Sequence, residues 1–304
     1  MKNSNPNLFV VGAAKAGTTS IYHYLEQHPE INMCRVKEPH FFSNIYPISR
    51  EMTKPPQKGK FYHSKLISDE NIYLDLFDFS NNFKYWADCS TSYLYDQRSA
   101  KNILTFNPDS KIIISLRNPI ERALSHYLMD CNSGLQFKEC LLDAIQDDFK
   151  IKERVYGKCH LYIDLGLYAD QIKIYYNTFK PENIHVVIFE DLIKNTQSEI
   201  NKIFDFLKLR KISLSVEQHG KYVPASRLLT YLRFIKRKLP IGHQIRLNSR
   251  LKESILVNKH KAKPKLSIED SKYLHQNYFA KDIQIASDYL GIDLYNKWNL
   301  SRYE

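Results

Sequence analysis

Gly12-Ala13-Ala14-Lys15-Ala16-Gly17-Thr18-Thr19 places two glycines five positions apart, a lysine between them and two hydroxyls behind. Residues of these types hold anions. Glycines let backbone amides close around a phosphate or sulfate, and the lysine adds a cation. The apolar run Leu8–Val11 precedes the segment, and Ile21, Tyr24 and Leu25 follow at helical spacing until His28-Pro29. The pattern reads as strand, turn, helix, with the helix N-terminus aimed at an anion. In the nucleotide loop GxxxxGK[ST] the lysine directly follows the second glycine; here Thr18 stands there and Lys15 lies inside the loop. A glycine turn that holds no ligand satisfies the spacing alone.

A second anion position lies further on. Lys111-Ile112-Ile113-Ile114-Ser115-Leu116 is an apolar run of buried parallel-strand type and ends in Arg117. Asn118 suits an N-cap, Pro119 the first helical position and Glu121 the third, so a helix starts there and carries Ser125 two turns in. Arg117 supplies a planar fork of donors for a phosphate and Ser125 one more. Arg122 reads as a weaker anion contact or a solvated side chain.

The two segments together resemble the sulfotransferases that use 3′-phosphoadenosine 5′-phosphosulfate (PAPS), in motif closest to the bacterial and heparan-sulfate-type (carbohydrate) members. Lys15-Ala16-Gly17-Thr18-Thr19-Ser20 is similar to the family's 5′-phosphosulfate loop, and Arg117 through Ser125 to its 3′-phosphate site. The resemblance implies a P-loop-like three-layer α/β fold with a central parallel sheet flanked by helices. It assigns Lys15, Ala16, Gly17, Thr18, Thr19, Ser20, Arg117 and Ser125 to PAPS, with 3′-phosphoadenosine 5′-phosphate (PAP) as product. Lys221, after Gly220, falls where the family often closes a loop over the nucleotide. Glu38-Pro39-His40-Phe41-Phe42 is similar to the segment that carries the catalytic glutamate of the heparan-sulfate-type enzymes. Glu38 is then the base, His40 its assistant, Lys15 the charge on the leaving phosphate, and Phe41 and Phe42 packing. Lys37 reads as a solvated neighbour of Glu38 or a contact to an acidic acceptor. Where some of those enzymes carry a lysine near the acceptor, Asp88-Cys89-Ser90-Thr91 has Cys89. A kinase with a variant phosphate loop, a sulfotransferase for a small-molecule or lipid alcohol, and a non-catalytic PAP sensor are the alternatives.

These residues need a frame. Ile31–Met33 and Ile184–Phe189 read as further strands, the latter followed by Ile200, Ile203, Phe204 and Leu207 at helical spacing. Residues 46–70, broken by Pro47, Pro55, Pro56 and Gly59, read as a surface loop, and Ser267–Leu290 as helix packed back on the body. All 304 residues are expected to form a single domain. Hydrophobic residues at 43 % suffice for a large core, and no stretch approaches the roughly 18–20 apolar residues of a membrane span. The start has no apolar signal region, and Cys34, Cys89, Cys131, Cys140 and Cys159 show no paired spacing, so reduced thiols and a cytoplasmic location are expected. No metal is implied.

The net charge of +11 is concentrated between Lys221 and Lys265, where 13 Lys/Arg face the single acid Glu253, so the remainder of the chain is close to neutral. Within it, residues 226–239 mix Leu, Phe and Tyr with a dense positive face. A solvated amphipathic helix, peripheral contact with an anionic membrane or glycolipid surface, and a track for an acidic polysaccharide are its readings. No nucleic-acid motif accompanies the charge, and none is expected as a partner.

Overall fold

The computed structural model of the chain describes residues 5–57, 60–216, 227–238 and 264–303. Its strands are β1 (Leu8–Gly12), β2 (Ile31–Met33), β3 (Val36–Glu38), β4 (Tyr62–Ser64), β5 (Tyr85–Cys89), β6 (Lys111–Leu116) and β7 (Ile184–Ile188). Five of them form one sheet in the order β2-β5-β1-β6-β7, every pairing parallel. β3 and β4 form a separate parallel pair.

The alternation of side chains along each strand sends two sets of residues to two faces. After the helices α1 (Thr18–Leu25), α2 (Glu70–Leu74) and α3 (Ser99–Phe106) comes α4 (Pro119–Ser133). Phe9, Val11, Ile112 and Ile114 point to one face, where Ala123 and Leu124 of α4 and Tyr168 and Ile172 of the helix Tyr168–Thr178 join them. Leu8, Val10, Ala87 and Ile113 point to the other, against Ile21 and Leu25 of the helix Thr18–Leu25 and Ile200, Ile203 and Phe204 of Thr196–Phe206. Burial on both faces is why these strands read as unbroken apolar runs, each such side chain contributing about 1.5–3 kcal/mol. The three-layer parallel architecture is the one expected from the sequence.

The start of α4 is as read: Asn118 Oδ1 accepts from the amides of Ile120 at 3.0 Å and Glu121 at 3.3 Å, with Pro119 in the first turn. The helix Ala280–Leu290 does pack back on the body. Its Asp282 accepts from the amides of Tyr168 at 2.6 Å and Ala169 at 3.1 Å, capping a helix more than a hundred residues earlier in the chain.

One expectation needs correction. Residues 46–70 are not simply a surface loop: they contribute β4, and Met52 and Ile67 are buried. The prolines interrupt periodicity there without preventing a three-residue strand from pairing beside β3. β5 carries no clear strand signal in the sequence because Tyr85-Trp86-Ala87-Asp88-Cys89 buries a charged residue, Asp88, in mid-run. Asp88 is tolerated because Tyr73, Tyr93 and Ser90 all donate to it, at 2.9, 2.8 and 2.8 Å.

The basic stretch forms the helix Arg227–Lys238, seated on the C-terminus of α4. Arg233 Nη1 donates to Asn132 O at 2.5 Å, and the Phe234 ring meets that of Phe137 edge-on at 5.2 Å. Residues 221–226 and 239–263 of the basic segment, Lys221 included, lie outside the described residues. Among the described residues no helix is long and apolar enough to cross a membrane.

Candidate active site

One cleft of about 800 Å³ lies at the C-terminal ends of the strands, and three walls surround it. The first wall is the turn after β1. It is anchored to β6, where Ser115 O accepts from the Ala13 amide at 2.7 Å and Ser115 Oγ donates to Ala16 O at 2.6 Å. Lys15 takes a left-handed φ of 69°, and Arg117 Nη1 fixes it by donating to Lys15 O at 3.0 Å. Gly17, at φ 83°, opens the following helix; a Cβ there would stand 2.7 Å from the Phe189 ring. Among the described residues no side chain caps that helix. Lys15, Gly17, Thr18, Thr19 and Ser20 all line the cleft. Ala16 does not: its methyl is in the core, its amide donates to Ala13 O and its carbonyl is taken by Ser115.

Arg117 and Ser125 line the same cleft. The Arg117 guanidinium lies 4.7 Å over the Phe189 ring, and Nη2 stands 3.8 Å from Glu121. Its Nε is buried with no hydrogen-bond partner among the described residues. Arg122 belongs elsewhere. It is wholly buried and donates to Tyr162 O, so it is neither solvated nor a cleft residue. The 3.6-residue turn points it inward while Ser125 faces the cleft.

The second wall carries Glu38, paired in register with Ser64 across β3 and β4. Lys37 Nζ stands 2.8 Å from Glu38 Oε1 with only 1 % of its side chain exposed. Lys37 is therefore a buried partner of Glu38, and the solvated reading is wrong. His40 Nε2 lies 3.5 Å from Glu38 Oε2. The His40 ring is clamped by Ser92 Oγ at 2.7 Å on Nδ1 and Ser64 Oγ at 3.1 Å on Nε2. Its amide donates to Ser90 Oγ at 3.2 Å, and Ser90 in turn donates to Asp88, so the buried acid beneath the sheet end fixes the loop that carries Glu38.

Burial alone would raise the Glu38 carboxyl, but the positive charge of Lys37, with His40 and His63, pulls it down to about 2. Burial pulls His40 down to about 4 against the attraction of Glu38. At neutral pH the wall therefore presents a carboxylate and an uncharged imidazole. Phe41 stacks on Tyr73 at 4.3 Å and Phe42 is core, both packing residues as read. Cys89 is fully buried, its thiol 3.6 Å from Thr18 O, so that position faces the core and not the cleft.

The third wall had no signal in the sequence. Met129 and Asp130 of α4 meet the loop Tyr156–Leu161. Met129 Sδ is 3.3 Å from Lys15 Nζ, and Asp130 Oδ2 is 2.7 Å from His160 Nδ1. His63 and Ser64 on β4 were likewise missed, hidden in a stretch read as loop. Burial and the adjoining Arg117 lower the Lys15 ammonium, while Asp130 and Glu38 act on it in the opposite direction. The lysine thus stands within the fields of both acidic walls.

A central parallel sheet flanked by helices, with a glycine-containing turn after its first strand and an arginine after its fourth, is a P-loop-like α/β architecture. The family model described as "Sulfotransferase domain" matches residues 5–224, and the chain belongs to that family. It is 25 % identical over 265 residues to carbohydrate sulfotransferase 15 of Mus musculus, covering 73 % of this chain and 47 % of that protein. It is 22 % identical over 210 residues to heparan sulfate glucosamine 3-O-sulfotransferase 6 of Homo sapiens, covering 68 % of this chain and 53 % of that protein. The chain thus spans about half the length of these curated relatives. Among solved structures, a sulfotransferase from Alicyclobacillus acidocaldarius matches with a TM-score of 0.67 and 26 % identity, over 97 % of this chain and 99 % of that one.

Proposed function

We propose that this chain transfers the sulfuryl group of PAPS to a hydroxyl of a carbohydrate-type acceptor and releases PAP. The supporting observation is convergence: Lys15 of the β1 turn, Glu38 and the Arg117–Ser125 pair are spread over 110 residues of sequence, from 15 to 125, yet line one cleft. Two anion positions suit a donor with two phosphate-bearing ends. The donor set is lysine, arginine, hydroxyls and helix amides, and the buried Nε of Arg117 still lacks a partner among the described residues.

Lys15 and the amides of Thr18, Thr19 and Ser20 take the 5′-phosphosulfate; Arg117 and Ser125 take the 3′-phosphate. As the acceptor oxygen bonds to sulfur, the bond from sulfur to the bridging phosphate oxygen breaks, and the hydroxyl proton passes to the Glu38 carboxylate. Negative charge collects on the departing phosphate, where the Lys15 ammonium stabilises it. A carboxylate held near 2 is a weak base toward an ordinary alcohol. Its proton uptake is therefore coupled to formation of the new oxygen–sulfur bond, which makes the hydroxyl acidic. His40, neutral and clamped, holds Glu38 in place and does not itself exchange a proton. The carbohydrate class of acceptor is supported by the names of the curated relatives.

Transfer of radiolabelled sulfate from PAPS to a panel of oligosaccharides tests the reading. Wild-type protein labels at least one member and Glu38→Gln labels none while keeping its affinity for PAP. Equal labelling by the variant removes Glu38 as the base.

A further inference from the structure

The cleft holds four histidines, His40, His63, His126 and His160, and three of them are accounted for by the fold or by the Glu38 wall. His40 is clamped between two serines. His126 is buried on α4, 3.6 Å from Asp130. His63 stands beside Glu38. His160 is different. Its Nδ1–H donates to Asp130 Oδ2 at 2.7 Å, its ring stacks on Tyr162 at 4.9 Å and 5° between planes, and its side chain is 24 % exposed. The Tyr162 hydroxyl donates to the same Asp130 oxygen at 2.9 Å. The His160 amide donates to Asp148 Oδ1 at 2.6 Å, and Arg154 pairs with Asp148 and Asp164 behind the loop. The imidazole is thus oriented from three sides, with Nε2 left without a hydrogen-bond partner among the described residues, in a residue that lines the cleft.

We propose that His160, oriented by Asp130, is the acceptor-side recognition group of this cleft and binds an anionic group, a carboxylate or sulfate ester, carried by the acceptor. Asp130 is a positioning residue: it accepts the Nδ1–H hydrogen bond and turns Nε2 toward the cleft, so that once the ring is protonated Nε2–H is what an incoming anion meets. The inference rests on the sulfuryl-transfer reading and adds the acceptor's charge to it. The titratable and charged groups facing His160 are Asp130 and His126 from α4, Asp148 from the helix Leu141–Phe149, and Tyr162 from its own loop. Burial disfavours the imidazolium, but the hydrogen bond and charge of Asp130, with Asp148, outweigh it and the net direction is upward. The other three cleft histidines all move downward: burial takes His40 to about 4 and His126 to about 3, and lowers His63. His160 alone of the four stands in surroundings that favour a cation.

Nuclear magnetic resonance of ¹⁵N-histidine-labelled protein saturated with PAP tests this, the His160 signal being the one lost in His160→Gln. Sodium D-glucuronate in large excess is the probe and D-glucose the control. Glucuronate is expected to shift the His160 signal and raise its titration midpoint, since an anion that binds the cation favours protonation; glucose does neither. Asp130→Asn is expected to lower the midpoint and remove the glucuronate response in protein that still binds PAP, an effect that a merely structural role for Asp130 would not produce. A His160 signal that ignores glucuronate, or answers glucose equally, overturns the inference and leaves the donor reading standing. Failure of the protein to bind PAP at all overturns the donor reading and this inference with it.

Discussion

Lys37 and Glu38 are sequence neighbours on a three-residue strand, yet their side chains form a buried ion pair with Nζ 2.8 Å from Oε1. Neighbours on a strand ordinarily point to opposite faces. Here the strand ends at Glu38, so the lysine chain can turn back on it. The pair keeps Glu38 ionised in a place where burial would neutralise it. Removing one partner leaves the other charge buried and uncompensated, which costs about 3–5 kcal/mol in well-buried pairs.

Lys37→Met is therefore expected to raise the Glu38 pKa and move the acid limb of kcat/KM to higher pH. In the wild type the Glu38 value is depressed from 4.5 to about 2. Its contribution to folding stability is thus full above 4.5 and is lost as pH falls from there toward 2. A pH–rate profile of the variant that superimposes on the wild type would remove Lys37 from this role.

Arg117 reaches the cleft with an Nε that has no partner among the described residues, and it braces the Lys15 carbonyl. Arg117→Lys keeps the charge and loses the fork, so PAP affinity is expected to fall by about tenfold or more, as for loss of a charge-assisted hydrogen bond of about 1.5–3 kcal/mol. Calorimetric titration with PAP measures it, and an unchanged Kd contradicts the assignment.

Gly17 is required twice over, by its φ of 83° and by the Phe189 ring, which would lie only 2.7 Å from an added Cβ. Gly17→Ala is expected to destabilise the fold by about 1–3 kcal/mol and to weaken PAP binding, because the same backbone that is strained presents the amides. Thermal melts with and without PAP read both effects; a melt at the wild-type temperature contradicts the steric argument.

Asp282 holds the N-terminus of the helix Tyr168–Thr178 from another part of the chain. Asp282→Ala is expected to cost about 1 kcal/mol, with Asp282→Asn recovering part of it through its remaining acceptor oxygen. Urea denaturation of the two variants gives the comparison, and equal losses would show that the cap does not act through its oxygens.

What the sequence disclosed follows from how local each feature is. The turn Gly12–Gly17 and the start of α4 at Asn118-Pro119 depend on residues a few positions apart, so their chemistry was legible. Arg117, Ser125 and Glu38 were placed by motif resemblance, and each lines the cleft. β4 and β5 were not legible, because β4 depends on pairing with β3 and β5 on burial of Asp88 beneath distant tyrosines. Asp130 and His160, thirty residues apart, meet only once the loop after the helix Leu141–Phe149 folds over α4. Arg122 was misread since the sequence does not say which face of a helix is covered.

As proposed, the β1 turn and Arg117 bind a 3′-phosphorylated adenosine phosphosulfate in place of a metal-bound triphosphate. Isothermal titration of the wild-type protein with PAP, with ATP, and with ATP plus Mg²⁺ tests it most directly. Tight PAP binding that magnesium leaves unchanged, with weaker binding of ATP, is the result predicted. Tighter binding of ATP with Mg²⁺ than of PAP would contradict it.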